Sequence, residues 1–170
     1  MPRLPRRARE YGLPRPALLV SVLLLLAPTP VLADATVFVG STITPANRPA
    51  IGLALGASLL VVGFEFEFSS TGESLDDAAP SLRTGMANVL LQTPVPIAGM
   101  QLYFTTGMGI YRERLDTRQE TNVGFNTGGG AKISLLGPIR ARLDYRLFSL
   151  RGDPLHSPVH RIYAGLNLQF

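Results

Sequence analysis

Cysteine is absent from all 170 residues, which removes both a disulfide framework and a thiolate metal site. Charge is scarce as well: Asp, Glu, Lys and Arg make up 16% of the chain, below the ~25–35% of an ordinary water-facing surface. No apolar stretch reaches the ~20 residues that a helix needs to cross a bilayer. The most apolar candidate after the leader is broken at Gly56, Ser58 and Gly63 and ended by Glu65. From Asp34 onward a 3.6-residue rhythm is also missing, so the pattern gives a helical fold no support.

The positive charge that the chain does carry is local. A formal net charge of +4 would suggest an acidic partner, nucleic acid included, if it were spread over a fold. Arg3, Arg6, Arg7, Arg9 and Arg15 against Glu10 account for all of it, and the basic and acidic residues of the remainder cancel. Nucleic acid is therefore not an expected partner. The same leader has the order of a secretory signal: an Arg-rich start, the apolar run Ala17 to Leu26, helix-breaking Pro28 and Pro30, and small Ala33 before Asp34. Residues 1–33 are read as a cleaved signal peptide and 34–170 as the mature domain. Arg6-Arg7 lacks the continuation of a twin-arginine signal, so ordinary export is expected.

What is present in the mature part is a two-residue alternation. Val62, Phe64, Phe66 and Phe68 interleave with Gly63, Glu65, Glu67 and Ser69. A helix would scatter those side chains around its surface, whereas a strand sorts them onto opposite faces. Ile139 to Leu147 and Arg161 to Phe170 repeat the pattern. Eight such segments lie between turn signals, at roughly 35–42, 50–57, 61–70, 82–92, 99–111, 122–134, 139–150 and 159–170. Most are about the 9–11 residues that a tilted strand needs to span a bilayer. Short turns near Ser58 to Leu60, Pro94 to Ala98 and Leu136 to Pro138 alternate with longer polar loops at Ile43–Pro49, Thr71–Ser81, Arg112–Thr121 and Arg151–Pro158. Paired residues share a face, so the odd-numbered apolar positions of strands six and seven require an odd number of residues between them. Strands two and three, apolar on odd and even positions respectively, require an even number.

Alternation alone leaves open whether the apolar faces point in, as in a soluble lipocalin-like binding barrel, or out to lipid. The low charge, the polar-face glycines Gly124, Gly128, Gly130 and Gly165, and an aromatic residue ending the last strand favour lipid. Eight strands enclose an interior just wide enough for side chains to fill. Glu65 and Glu67 on strand three then face Lys132, Arg142, Asp144, Arg146 and Arg161 on strands six to eight, which is expected to give a salt-bridged plug. Arg140 and Arg112 are expected to snorkel to the rims.

The pattern resembles the small eight-stranded outer-membrane barrels typified by OmpA and OmpX. It does so across the mature chain in strand number and loop asymmetry. The most specific local likeness is Tyr163, Gly165, Leu168 and Phe170, similar to the signal that the barrel assembly machinery reads in such proteins. The resemblance implies an all-β, antiparallel, up-and-down transmembrane barrel in the cell outer membrane, a monomer in contact with membrane lipid and lipopolysaccharide. It implies no shared catalytic residue, and a peptidoglycan-binding domain after the barrel is not expected. The expected role is structural or surface-interacting, with recognition on the external loops. A narrow pore and a lipid A-modifying barrel enzyme are the competing readings.

Other chemistry is thinly represented. His156-Ser157 with Asp153 contains the residue types of a nucleophile, a base and an orienting group. Adjacent strand residues point to opposite faces, however, and lipid A deacylases, which the pair resembles, place His and Ser two apart on one face. His156 and His160 have no third ligand at a supporting spacing, and Glu73, Asp76 and Asp77 read as a solvated acidic loop. Gly128 to Lys132 lacks the frame of a phosphate loop, and Arg151-Gly152-Asp153-Pro154 reads as a turn. No catalytic residue, metal ligand or cofactor site is assigned.

Overall fold

The computed structural model describes residues 31–170. Eight strands follow one another: β1 (Val31–Thr42), β2 (Arg48–Leu59), β3 (Val62–Thr71), β4 (Ser81–Gln92), β5 (Met100–Leu115), β6 (Arg118–Leu136), β7 (Ile139–Leu150) and β8 (Val159–Gln169). Each pairs antiparallel with the next, and β8 pairs with β1 to close the barrel. The last backbone bonds of that seam run both ways between Ala33 and Phe170, at 2.9 Å each. Closure leaves no sheet edge with unpaired amides, which is what lets strands stand in a medium that offers no hydrogen bonds.

The two faces of the wall sort by chemistry. On β3, Phe64, Phe66 and Phe68 are 55%, 61% and 54% exposed, while Glu65 and Glu67 between them are 2% and 0% exposed. Val37, Val39, Ile51, Leu53, Leu55, Met108, Ile110, Leu143, Ile162, Leu166 and Leu168 continue the outer apolar band around the barrel. A water-soluble barrel has the reverse arrangement, so the faces themselves settle the direction that alternation left open.

Loop parity is kept, but by tighter means than the sequence suggests. The β2–β3 connection is Leu60 and Val61, since Leu59 already pairs with Val62. Between β6 and β7 the turn is Gly137–Pro138, and a bulge between Ser134 and Leu136 supplies the extra residue that keeps odd positions on one face. The expected loop at Arg112–Thr121 is not a loop. Leu115 pairs with Arg118, so β5 and β6 extend as a hairpin with a turn at Asp116–Thr117. Both faces of that extension are largely polar, so the hydropathic contrast that marks a strand lower down fades there while the backbone ladder continues. The remaining loops, residues 43–47, 72–80 and 151–158, lie at the same end as this hairpin tip, opposite the described start of β1 and the end of β8. Of the sequence assigned to the signal peptide, 1–30 lie outside the described residues, and Val31 to Ala33 extend β1.

Phe66→Arg, on the outer face, is expected to destabilise the barrel by about 2–4 kcal/mol, and Ser70→Arg, four residues nearer the loops on the same face, by about 0–1 kcal/mol. Urea unfolding of both variants in lipid bilayers checks this; equal losses would contradict a membrane-embedded outer face.

Candidate functional site

The distinctive site is the charged interior. Along β7 the inward positions Arg140, Arg142, Asp144 and Arg146 climb from the turn end toward the loop end. Strand periodicity aims them all at the axis, and the opposite wall supplies Glu65 and Glu67 from β3. Arg142 Nη1 donates to Glu65 Oε2, and its Nη2 reaches Glu65 Oε1 at 3.2 Å and Asp144 Oδ2 at 3.0 Å. Arg146 donates through Nε to Asp144 Oδ1 at 2.9 Å and through Nη2 to Glu65 Oε1 at 3.0 Å, and lies 3.4 Å from Glu67 Oε2. Glu65 and Asp144 thus each bridge the same two guanidiniums. Both arginine side chains are fully buried.

Neutral groups complete the coordination. The Tyr103 hydroxyl accepts from Arg142 Nε at 2.8 Å and donates to Asp144. Asn126 accepts from Arg146 at 3.2 Å and donates to Asn88 at 2.7 Å, and Asn88 donates to Glu65 at 3.4 Å. Nearer the loops, Tyr163 donates to Glu67 at 3.1 Å, and Arg161 donates to Ser69 at 2.5 Å while lying 3.6 Å from Glu67 Oε1. Arg161 also sits over the Phe148 ring, 4.5 Å from its centroid. Nearer the turns, Lys132 donates to Asp34 at 2.6 Å.

All seven residues of the expected lumen network therefore face inward, but they fall into two groups. Glu65, Glu67, Asp144, Arg142, Arg146 and Arg161 form a connected cluster, whereas Lys132 pairs separately with Asp34. Arg140 corrects an expectation. It is 7% exposed and donates to Asn167 at 3.0 Å and Gln101 at 3.1 Å instead of snorkelling to a rim, because its even position on β7 aims it inward. Asp34 was missed because it abuts the proposed cleavage site. Tyr103 was missed because its neighbours Leu102 and Phe104 hide it in an aromatic, apolar stretch; parity with Gln101 and Thr105 was the available signal.

Above the charged cluster the interior turns apolar. Leu82, Met86, Tyr111, Phe148, Leu150 and Val159 pack as a buried cluster. Glycines make room for a further inward aromatic: a Cβ on Gly52 would lie 2.7 Å from Phe38 Cε2 and one on Gly165 2.9 Å from Phe38 Cβ, and the Phe38 ring stacks on Tyr163 with centroids 4.1 Å apart. At the loop end, Arg48 donates to the carbonyls of Thr44 at 3.0 Å, Gly72 at 3.2 Å and Pro80, tying two loops together. Glu113 accepts from the Leu155 amide at 2.9 Å and holds a third.

The other candidate chemistry is not brought together. Ser157 Oγ accepts from the Leu150 amide at 3.1 Å and Asp153 pairs with Arg118 at 2.9 Å, while His160 bonds Tyr145 at 2.6 Å. Among the described residues no group of His, Cys, Asp and Glu is arranged to hold a metal ion. Leu168 is exposed on the outer face beside Leu166, whereas Tyr163 and Gly165 face the interior.

No protein-family model and no curated protein matches the chain. Solved structures do. The N-terminal β-barrel domain of Pseudomonas aeruginosa OprF superposes with a TM-score of 0.63 at 12% identity, over 82% of this chain and 97% of that one. The chain has the fold of the small eight-stranded outer-membrane barrels. Neisserial surface protein A gives 0.61 at 15% identity over 82% and 96% of the two chains. The outer membrane enzyme PagL gives 0.52 at 10% over 79% and 98%. At these identities the likeness carries the transmembrane barrel architecture, and neither the interior residues nor an activity comes with it.

Removing one member of the central cluster leaves its buried partners without a counter-charge. Arg142→Met is expected to cost about 3–5 kcal/mol, and the Arg142→Met/Glu65→Leu pair less than the sum of the two single changes, because the double variant leaves fewer uncompensated charges. Urea titration of the folded barrel in lipid checks this; additive losses would show that the two side chains act independently.

Proposed function

We propose that the protein is an outer-membrane barrel with a structural or surface-interacting role, whose interior is closed to free flow by its own side chains. The observation that carries this reading is the Glu65–Arg142–Asp144–Arg146 cluster, which joins opposite walls of an eight-stranded barrel with its side chains essentially inaccessible to solvent. The apolar cluster of Met86, Phe148 and its neighbours supports the same conclusion nearer the loops. Closure of this kind removes the conducting path that a pore needs.

The signal peptide directs export and is cleaved after Ala33, and the barrel works as a monomer surrounded by membrane lipid and lipopolysaccharide. Tyr163, Gly165, Leu168 and Phe170 serve as the signal for the barrel assembly machinery, a role supported by their place on β8, the strand that closes the barrel against β1. Recognition falls to the loops at residues 72–80 and 151–158, with the hairpin tip at Asp116–Thr117 beside them.

Two measurements test the reading. Detergent-extracted outer membrane should contain the protein as a heat-modifiable band whose amino-terminal residue is Asp34; recovery in the soluble periplasmic fraction would reject a membrane location. In planar bilayers the wild type should give no large steady conductance. A steadily open wild type would reject closure by the charge network.

A further inference from the structure

The outer wall carries one feature that the apolar band does not explain. Arg83 on β4 and Arg112 on β5 are directly paired across the sheet and both are exposed on the lipid-facing side. Arg114, two residues further along the same face, is exposed too. Like charges directly opposite each other on a sheet repel. Arg112 Nε lies 3.4 Å from Thr121 Oγ1, and Arg114 Nε lies 3.6 Å from Glu73, but among the described residues neither Arg83 nor Arg112 has a carboxylate within ion-pair distance. Two facing guanidiniums without a counter-charge are a site for an anion.

What lies below them specifies the anion further. The register sets Phe68, Gly85 and Ile110 in one row and Phe66, Ala87 and Met108 in the next, with Ser70, Arg83 and Arg112 in the row above. The small residues Gly85 and Ala87 leave β4 low between walls of Phe66 and Phe68 on one side and Met108 and Ile110 on the other. The result is an apolar groove of about 620 Å³ that ends at Arg83 and Arg112. A polar recess of about 320 Å³ continues from it toward the loops, bounded by Arg83, Arg112, Arg114 and Gln119 and by Glu73, the carboxylate that pairs with Arg114. Arg83 and Arg112 line both. A groove for hydrocarbon that opens into a basic recess matches a molecule with an acyl chain at one end and a phosphate at the other. Guanidinium is the side chain best shaped for phosphate, and it stays charged in a lipid headgroup layer.

We propose that this face binds one phosphorylated lipid A molecule of the leaflet at the loop end. Its phosphate lies between Arg83 and Arg112, and an acyl chain lies in the groove over Gly85 and Ala87. The assignment rests on the reading of the outer wall as embedded in an outer membrane. It adds a defined site to what would otherwise be bulk solvation by lipid.

The test is native mass spectrometry of the full barrel in a neutral detergent, with diphosphoryl lipid A as the probe. Dephosphorylated lipid A and phosphatidylglycerol are compared at matched concentration, and inorganic phosphate is added as competitor. Wild type should retain one diphosphoryl lipid A. Arg83→Gln/Arg112→Gln should weaken retention about tenfold or more, the loss of two charge-assisted contacts. Gly85→Leu, which fills the groove and leaves the arginines in place, should weaken it as well. Equal retention of the dephosphorylated lipid or of phosphatidylglycerol overturns the proposal, and so does full displacement by inorganic phosphate or indifference to either variant. Each variant is also checked for the heat-modifiable shift. A membrane-inserted barrel that fails to retain lipid A overturns this site alone, whereas a protein found in the soluble fraction overturns the membrane reading with it.

Discussion

A charge placed inside an eight-stranded barrel has nowhere to go, and most of the architecture here is arranged around that constraint. Moving a guanidinium or carboxylate out of water costs several kcal/mol per ion even after relaxation, and only close, well-bonded partners offset it. Arg142 and Arg146 are fully buried, so each needs acceptors that arrive from elsewhere in the chain. Asp144, between them on β7, provides one, and Glu65 arrives from β3, on another part of the wall. The network therefore exists only once the seam between β1 and β8 is shut and every hairpin has its register. A slip of one residue in β3 would turn Glu65 and Glu67 to lipid and Phe66 to the interior, losing on both faces at once.

That coupling makes the two sides of the wall interdependent. Outside, bulky apolar side chains make the band that replaces contact with water by contact with hydrocarbon. Inside, hydroxyls, amides and ion pairs bond one another across the barrel. Space inside is limited, which is why the Phe38 ring lies across Gly52 and why arginine guanidiniums sit against aromatic rings, Arg142 with Tyr103 at 5.0 Å and Arg161 with Phe148 at 4.5 Å. The interior becomes apolar above Arg146, so hydrocarbon packing completes toward the loops what ion pairing begins nearer the turns. Arg48 and Glu113 then connect the finished barrel to its loops by accepting or donating to loop backbone, a fixed platform for whatever those loops meet.

The arginines outside the barrel obey different physics from those within. Arg142 is satisfied by carboxylates of its own chain, while Arg83 and Arg112 face each other on the open side where the apolar band ends. Interior charges are matched by partners of the same chain, whereas among the described residues Arg83 and Arg112 have no carboxylate at ion-pair distance. The two sets would be indistinguishable by composition, and strand parity together with height along the barrel separates them.

Strand number, the sorting of faces and loop parity were legible from the sequence because a strand's period of two is an intrinsic property of the backbone, and Phe64-Glu65-Phe66-Glu67 displays it without help from any other segment. The inward direction of Glu65, Lys132, Arg142, Asp144, Arg146 and Arg161 followed from the same parity. Which of them meet did not. Lys132 pairs with Asp34, some hundred residues away in the chain, and Glu65 with two arginines of β7, because closure and shear decide which inward side chains share a height, and neither is written in a local pattern. The apolar interior of Leu82, Met86 and Phe148 also escaped notice, since a buried apolar residue and a lipid-facing one look alike in a single strand. Polar strand extensions hid the hairpin from Arg112 to Thr121, where ladder bonds hold the backbone without a hydropathic contrast. The sequence determined the strands and their two faces; only the closed tertiary structure decided the partners, because those depend on distances across a barrel that exists once all eight strands are in place.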